Sequence, residues 1–132
     1  MTHQIVQPDG WPAPRGYSNG VVASGRILFV AGQIGWDKTG RMRSDVFVEQ
    51  ARQALSNVVE VLEAGGARPE HIVRMTWYVV DKREYQAALR EIGQMYRELI
   101  GAHYPAMTLV QVADLLEDGA RVEIEATAVI PG

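Results

Sequence analysis

Apolar and polar positions change period several times along the chain, and each change marks an element. Between residues 45 and 64 the apolar side chains Phe47, Ala51, Ala54, Leu55, Val58 and Leu62 recur at the spacing of one helical face. Ser44 or Asp45 can cap the start of this helix, and Gly65–Gly66 stops it. Over 71–80 the period shortens to two. This predicts a strand with Ile72, Arg74, Thr76, Tyr78 and Val80 on one face and Val73, Met75, Trp77 and Val79 on the other. Asp81 then opens a second helix, with Glu84 at the capping-box position. Tyr85, Ala88, Leu89, Ile92, Met95, Tyr96 and Leu99 form its apolar stripe, and Gly101 ends it. Two further strands follow at 106–113 and 120–130, joined by an acidic turn at 115–119.

Upstream, residues 20–24 and 26–31 are short β-rich runs around Gly25 and predict a hairpin. Residues 7–19 hold three prolines and two glycines and read as an irregular arm, and 32–44 is loop by composition. The order is therefore ββαβαββ. It describes an α+β domain over 1–132, with one mixed sheet and two helices packed on one face. Two helices cover only one face of such a sheet. Yet the strand at 71–80 is apolar on both sides, and in the strand at 106–113 Thr108, Val110 and Val112 oppose Met107, Leu109 and Ala113. No segment remains to cover the second face, so another copy of the chain is expected there.

The last strand sorts its residues most sharply. Val122, Ile124, Ala126 and Ala128 lie on one face, while Arg121, Glu123, Glu125 and Thr127 lie on the other. The charged face is either a salt-bridge ladder or the seat of a carboxylate whose pKa is raised at a subunit contact, fit to act as a general acid or base.

Composition narrows the partners. The net charge is -3, with only two lysines and eleven scattered arginines, so there is no basic stripe for a phosphate backbone. Without cysteine there are no disulfides, thiol nucleophiles or thiolate metal sites. His3, His71 and His103 show no metal-ligand spacing, and no apolar run is long enough to span a bilayer. The start, MTHQIVQPDG, lacks the features of a signal peptide, which sets the expectation of a cytoplasmic protein with no membrane and no nucleic-acid partner.

Several short motifs occur in a telling order. They are Gly16-Tyr17-Ser18-Asn19-Gly20, Ala31-Gly32-Gln33-Ile34, Gln50 with Leu55 and Asn57, Val73 through Thr76 and Tyr78 to Asp81, Pro105-Ala106-Met107-Thr108, and Val122-Glu123-Ile124-Glu125-Ala126. Over nearly its whole length the chain thus resembles the reactive-intermediate deaminase (RidA/YjgF) family. That resemblance implies a homotrimer with clefts between adjacent subunits, and no metal or organic cofactor. It implies hydrolysis of small reactive enamines and imines to a keto acid and ammonia. It assigns Glu123 as the acid/base that positions water, Tyr17 as the cleft tyrosine and Gly32 as a backbone contact, with Ala31, Met107 and Thr108 in the same cleft. Two positions depart from the family pattern: Met107 stands where P-A-R-S has arginine, and Ala31 where S-G-Q-I has serine. Methionine cannot clamp a carboxylate, so the ligand is expected to differ from a small 2-imino acid. Arg90 falls where many members carry a cleft-facing asparagine. It is either a displaced cation or a solvent-facing helix arginine near Glu84 and Glu91. Arg121 is a second candidate cation, or the neutraliser of Glu123.

Three functions follow from these features. The first is a divergent hydrolase of the enamine/imine deaminase type; the second is a non-catalytic trimer that binds a small metabolite in the same clefts. The third, an endoribonuclease, is opposed by the acidic charge balance and the missing basic stripe.

Overall fold

The computed structural model describes residues 3–132; Met1 and Thr2 lie outside the described residues. The elements run β1 (Gln4–Val6), β2 (Gly20–Val22), β3 (Arg26–Gln33), α1 (Phe47–Ala64), a 3-10 turn at Pro69–His71, β4 (Ile72–Val79), α2 (Lys82–Ala87), α3 (Leu89–Leu99), β5 (Ala106–Gln111) and β6 (Val122–Ile130). The main sheet has the order β3-β6-β4-β5. Strand β6 is antiparallel to both neighbours, and β4 and β5 are parallel, joined by the α2–α3 crossover. The α+β class and the mixed sheet with helices on one face agree with the sequence.

Three details differ from the pattern-based expectation. The predicted hairpin around Gly25 does not form. Strand β2 pairs with β1, a three-residue strand too short to leave a periodic signal, and β3 pairs with β6. Gly25 is a point of close approach: a Cβ there would lie 2.0 Å from the carbonyl oxygen of Ile130. The second helix is two helices, broken at Ala88 (φ -116°, ψ 21°) with no proline or glycine to mark the break. In β4 the register with β6 slips between Ile72 and Arg74. This one-residue bulge moves Ile72 onto the core face with Met75, Trp77 and Val79.

The core is the layer between this sheet and the helices. Ala51, Ala54, Leu55, Val58 and Leu62 of α1 are fully buried, facing Val122, Ile124, Ala126 and Ala128 of β6 as alternation requires. Each large apolar side chain buried there contributes roughly 1.5–3 kcal/mol. Gly66 ends α1 at φ 80°, in the left-handed region that glycine enters without strain. Helix capping follows a different route from the expected one. Val46, without a side-chain cap, precedes α1, while the Ser44 hydroxyl accepts from the Val46 N–H. Asp81 caps α2 by accepting from the Arg83 N–H at 3.0 Å, but Glu84 makes no capping box, because its carboxylate pairs with Arg121 at 3.1 Å.

Two amides of α1 tie the loops to this core. Gln50, 1% exposed, donates through Nε2 to the carbonyls of Ser44 and Gly119, both at 2.9 Å, and its Oε1 accepts from the Arg121 N–H at 2.8 Å. Asn57 Nδ2 donates to the carbonyls of Ile34 (3.2 Å) and Trp36 (2.8 Å). The Gln50…Asn57 motif is thus a pair of loop anchors, and it sets where the β3 end and the β6 start lie relative to each other.

The three histidines gather at the N-terminal end of β4. His3 Nε2 bonds the His71 carbonyl, His103 Nε2 bonds the Ile72 carbonyl, and His71 Nδ1 accepts from the Arg68 N–H. Burial holds the pKa of His71 below its usual value, helped by the charge of Arg68 and opposed by Glu70.

Two predictions follow from these contacts. Replacing Gln50 with alanine removes three hydrogen bonds, those to the Ser44 and Gly119 carbonyls and that from the Arg121 N–H, and should cost roughly 2–4 kcal/mol in chemical denaturation; a loss below about 0.5 kcal/mol would show that water takes over all three bonds. Because the folded state holds His71 neutral, the unfolded chain binds its proton first as pH falls. Stability from this group is therefore full above about pH 6.5 and declines below it. Thermal melts between pH 7.5 and 5 should show this decline, and His71→Gln should flatten it; equal slopes in both proteins would assign the acid sensitivity elsewhere.

Candidate active site

Tyr17 and Met107 come together through backbone pairing. Ser18 forms a parallel bridge to Ala106, its N–H donates to the Pro105 carbonyl at 2.9 Å, and its hydroxyl donates to the Tyr104 carbonyl. The Gly16-Tyr17-Ser18 and Pro105-Ala106-Met107 motifs are therefore one physical unit, added to the outer edge of β5. Between this unit and α2–α3 lies a cavity of about 430 Å³. Its walls include Tyr17, Met107 and Thr108, together with Trp77, Tyr85, Leu89, Ile92 and Leu109. Tyr96 and Tyr104 stack beside it with ring centroids 5.6 Å apart. Burial and the neighbouring Tyr104 push the Tyr96 pKa up, so Tyr96 stays a neutral donor, with its hydroxyl 2.6 Å from the His103 carbonyl.

Glu123, Gly32 and Ala31 lie elsewhere. Register places Glu123 beside Tyr78 on the sheet face that no helix covers, while Met107 pairs with Met75 and faces the helices. Gly32 lies directly against the Glu123 carboxylate: a Cβ there would stand 1.9 Å from Oε2. Any side chain at residue 32 would displace that carboxylate. Glu125 accepts from the Tyr78 hydroxyl at 2.6 Å, and this bond, loss of solvent and the charges of Glu125 and Glu123 raise the Tyr78 pKa. Ala31 shares a shallow depression with Phe29, Arg74, Thr76, Glu125 and Thr127. The sheet thus separates two groups of predicted site residues within one chain.

Neither candidate for a displaced cation is found near Glu123 or in the cavity. Arg90 is exposed on α3 and does not line the cavity. Arg121, which alternation placed beside Glu123, instead donates to both carboxylate oxygens of Glu84 (3.3 and 3.1 Å) and to the Asp45 carbonyl. It locks the start of β6 to the helical layer. Two arginines that motif reasoning passed over do line the cavity, Arg15 on the arm and Arg97 on α3. The signal for Arg97 was a glycine inside the helical pattern: Gly93, one turn earlier, lines the cavity as well. Among the described residues, no three histidine, aspartate or glutamate side chains gather in a way that could hold a metal ion.

Known proteins resemble the chain over nearly its whole length. A family model described as endoribonuclease L-PSP matches residues 10–130. A RutC family protein of Synechocystis is 38% identical over 99% of this chain and 99% of its own length. The human 2-iminobutanoate/2-iminopropanoate deaminase is 33% identical, over 86% of this chain and 79% of its own. Among solved structures, a Rid family protein of unknown function from Yersinia pestis superposes with a TM-score of 0.87 at 33% identity, covering 98% of this chain and 100% of its own. TdcF of E. coli, solved with bound serine, gives a TM-score of 0.70 at 34% identity, with 96% and 98% covered. The motifs, the α+β fold and these full-length matches lead to one conclusion: the chain belongs to the RidA/YjgF family.

Proposed function

We propose that the chain is a hydrolase of the enamine/imine deaminase type, acting on a small reactive metabolite in clefts between the subunits of a homotrimer. The observation that carries this reading is the Glu123 carboxylate pressed against the side-chain-free backbone of Gly32. A carboxylate beside exposed backbone groups can hold a water against a planar imine carbon. Glu123 takes a proton from that water as its oxygen bonds to carbon, giving a carbinolamine. It hands that proton to the imine nitrogen to complete the carbinolamine, then takes the hydroxyl proton and passes it to nitrogen as the C=O bond forms and the C–N bond breaks, releasing ammonia and the carbonyl product. The balance is one imine and one water to one ketone and one ammonia, and only proton transfers are asked of the protein.

The assembly follows from the same geometry. Tyr17 and Met107 border a cavity on the helix side, while Glu123 is on the opposite face, so one chain cannot present both to one substrate. A neighbouring subunit docked on the open face would supply the missing half. That face carries Phe29, 74% exposed, and Ile27 and Val110, also exposed, an apolar surface of the kind normally covered. The human relative, a 2-iminobutanoate/2-iminopropanoate deaminase, and the serine bound to TdcF favour a small amino-acid-derived ligand. The apolar, aromatic cavity and the net charge of -3 favour this over a polyanion such as RNA.

Glu123→Gln should lower ammonia release from an imine generated in situ by an amino-acid oxidase by about 10²-fold or more, with the melting temperature little changed. Activity retained in that variant would remove Glu123 from the chemistry and the hydrolase reading with it. The wild type should sediment as a trimer at micromolar concentration, and Phe29→Asp should shift it toward monomer. A monomeric wild type would exclude a two-subunit cleft.

A further inference from the structure

Gly93 lies in the interior of α3, where glycine is disfavoured relative to alanine, and it faces the cavity beside Tyr17 and Met107. A Cβ at that position would stand 3.4 Å from Arg97 Nη1. The guanidinium of Arg97 therefore folds back along the bare helix surface and forms part of the cavity wall. Arg97 is exposed and, among the described residues, takes part in no ion pair. Arg15, two residues before Tyr17, is equally unpaired and lines the same cavity.

The remaining lining is apolar. Tyr85, Leu89, Ile92, Met107 and Leu109 give a cavity of about 430 Å³, within the range of roughly 300–1,000 Å³ typical of drug-sized ligands. A two- or three-carbon acid would leave most of it empty. Two unpaired guanidiniums above apolar walls call for an organic carboxylate with a large apolar body.

We propose that Arg97, seated over Gly93, anchors the ligand carboxylate in place of the arginine absent at Met107, with Arg15 closing from the arm, and that the cavity selects 2-imino acids with aryl or long branched side chains. This inference rests on the hydrolase reading for the imine, but its binding half is measured without turnover. Phenylpyruvate, the keto acid that hydrolysis of the phenylalanine-derived imine yields, serves as the unreactive probe.

Calorimetric titration of the assembled protein should show phenylpyruvate binding at least tenfold more tightly than pyruvate or the uncharged 3-phenylpropanamide. Arg97→Ala should weaken phenylpyruvate at least tenfold, while Arg90→Ala, on the same helix but outside the cavity, should change it less than twofold. Equal phenylpyruvate affinity in wild type and Arg97→Ala overturns the anchor. Equal affinity for pyruvate and phenylpyruvate overturns the substrate class, and no binding of phenylpyruvate at millimolar concentration overturns both. Turnover of the phenylalanine-derived imine is scored separately. Arg97-dependent binding without turnover upholds the anchor and removes the hydrolase, whereas turnover with an unchanged KM in Arg97→Ala removes the anchor and leaves the hydrolase.

Discussion

Strand β6 is hydrogen-bonded along both edges, and from Val122 to Thr127 its residues alternate between a face that must be dry and one that is left open. Val122, Ile124, Ala126 and Ala128 lie under α1, while Glu123, Glu125 and Thr127 point the other way. A slip of one residue would bury two carboxylates beneath an apolar helix, at a cost that no neighbouring cation could offset. The start of the strand is held against such a slip by Gln50, which bonds the Arg121 N–H and the Gly119 carbonyl, and by the Arg121–Glu84 pair. The position of Glu123 opposite Gly32 is therefore a consequence of packing on the other side of the sheet.

This coupling explains why the candidate chemistry is distributed as it is. Tyr17 and Met107 are placed by edge pairing at β5, through Ser18 and Pro105, and Glu123 is placed by central pairing at β6. Each half is rigid because it is built on sheet hydrogen bonds, and each is incomplete. The elements that bring Glu123 into register also keep it on the opposite side of the sheet from Tyr17 and Met107. On the proposed reading, assembly is a condition for chemistry and not an addition to it.

Much of this was legible in the pattern of residues, and the gaps have physical causes. Helical and strand periods marked α1, β4, the α2–α3 region, β5 and β6 because each has one face in the core. Which strands pair is a non-local matter, so the partnership of β3 with β6, and of β2 with β1, left no local trace. The bulge at Val73 was hidden for a related reason. It reassigns Ile72 from one face to the other without altering the local composition. Motifs singled out Tyr17, Gly32, Glu123 and Met107 as candidates, but Arg121 misled. Alternation set it beside Glu123, and only the fold revealed Glu84 and Asp45 as nearer partners. Arg97 went unread because its signal lies in Gly93, a turn away on the same helix, and not in Arg97 itself.

Met107 is best understood through the cost of holding charge. A guanidinium at residue 107 would emerge beside Met75 and Trp77, on the wall of the apolar core, where an unpaired cation is expensive until a ligand arrives. A thioether removes that penalty and extends the apolar wall. Arginines at the exposed positions 15 and 97 stay solvated in the empty cavity, so keeping them there costs little. Their grip on a carboxylate is correspondingly weaker, and a ligand must recover the difference through apolar contact with Tyr85, Leu89, Ile92 and Leu109. On the proposed anchor, moving the cation from the floor to the mouth exchanges a strong, size-indifferent clamp for one that rewards bulk, which is why the substitution that removes the archetypal arginine also redirects the choice of substrate.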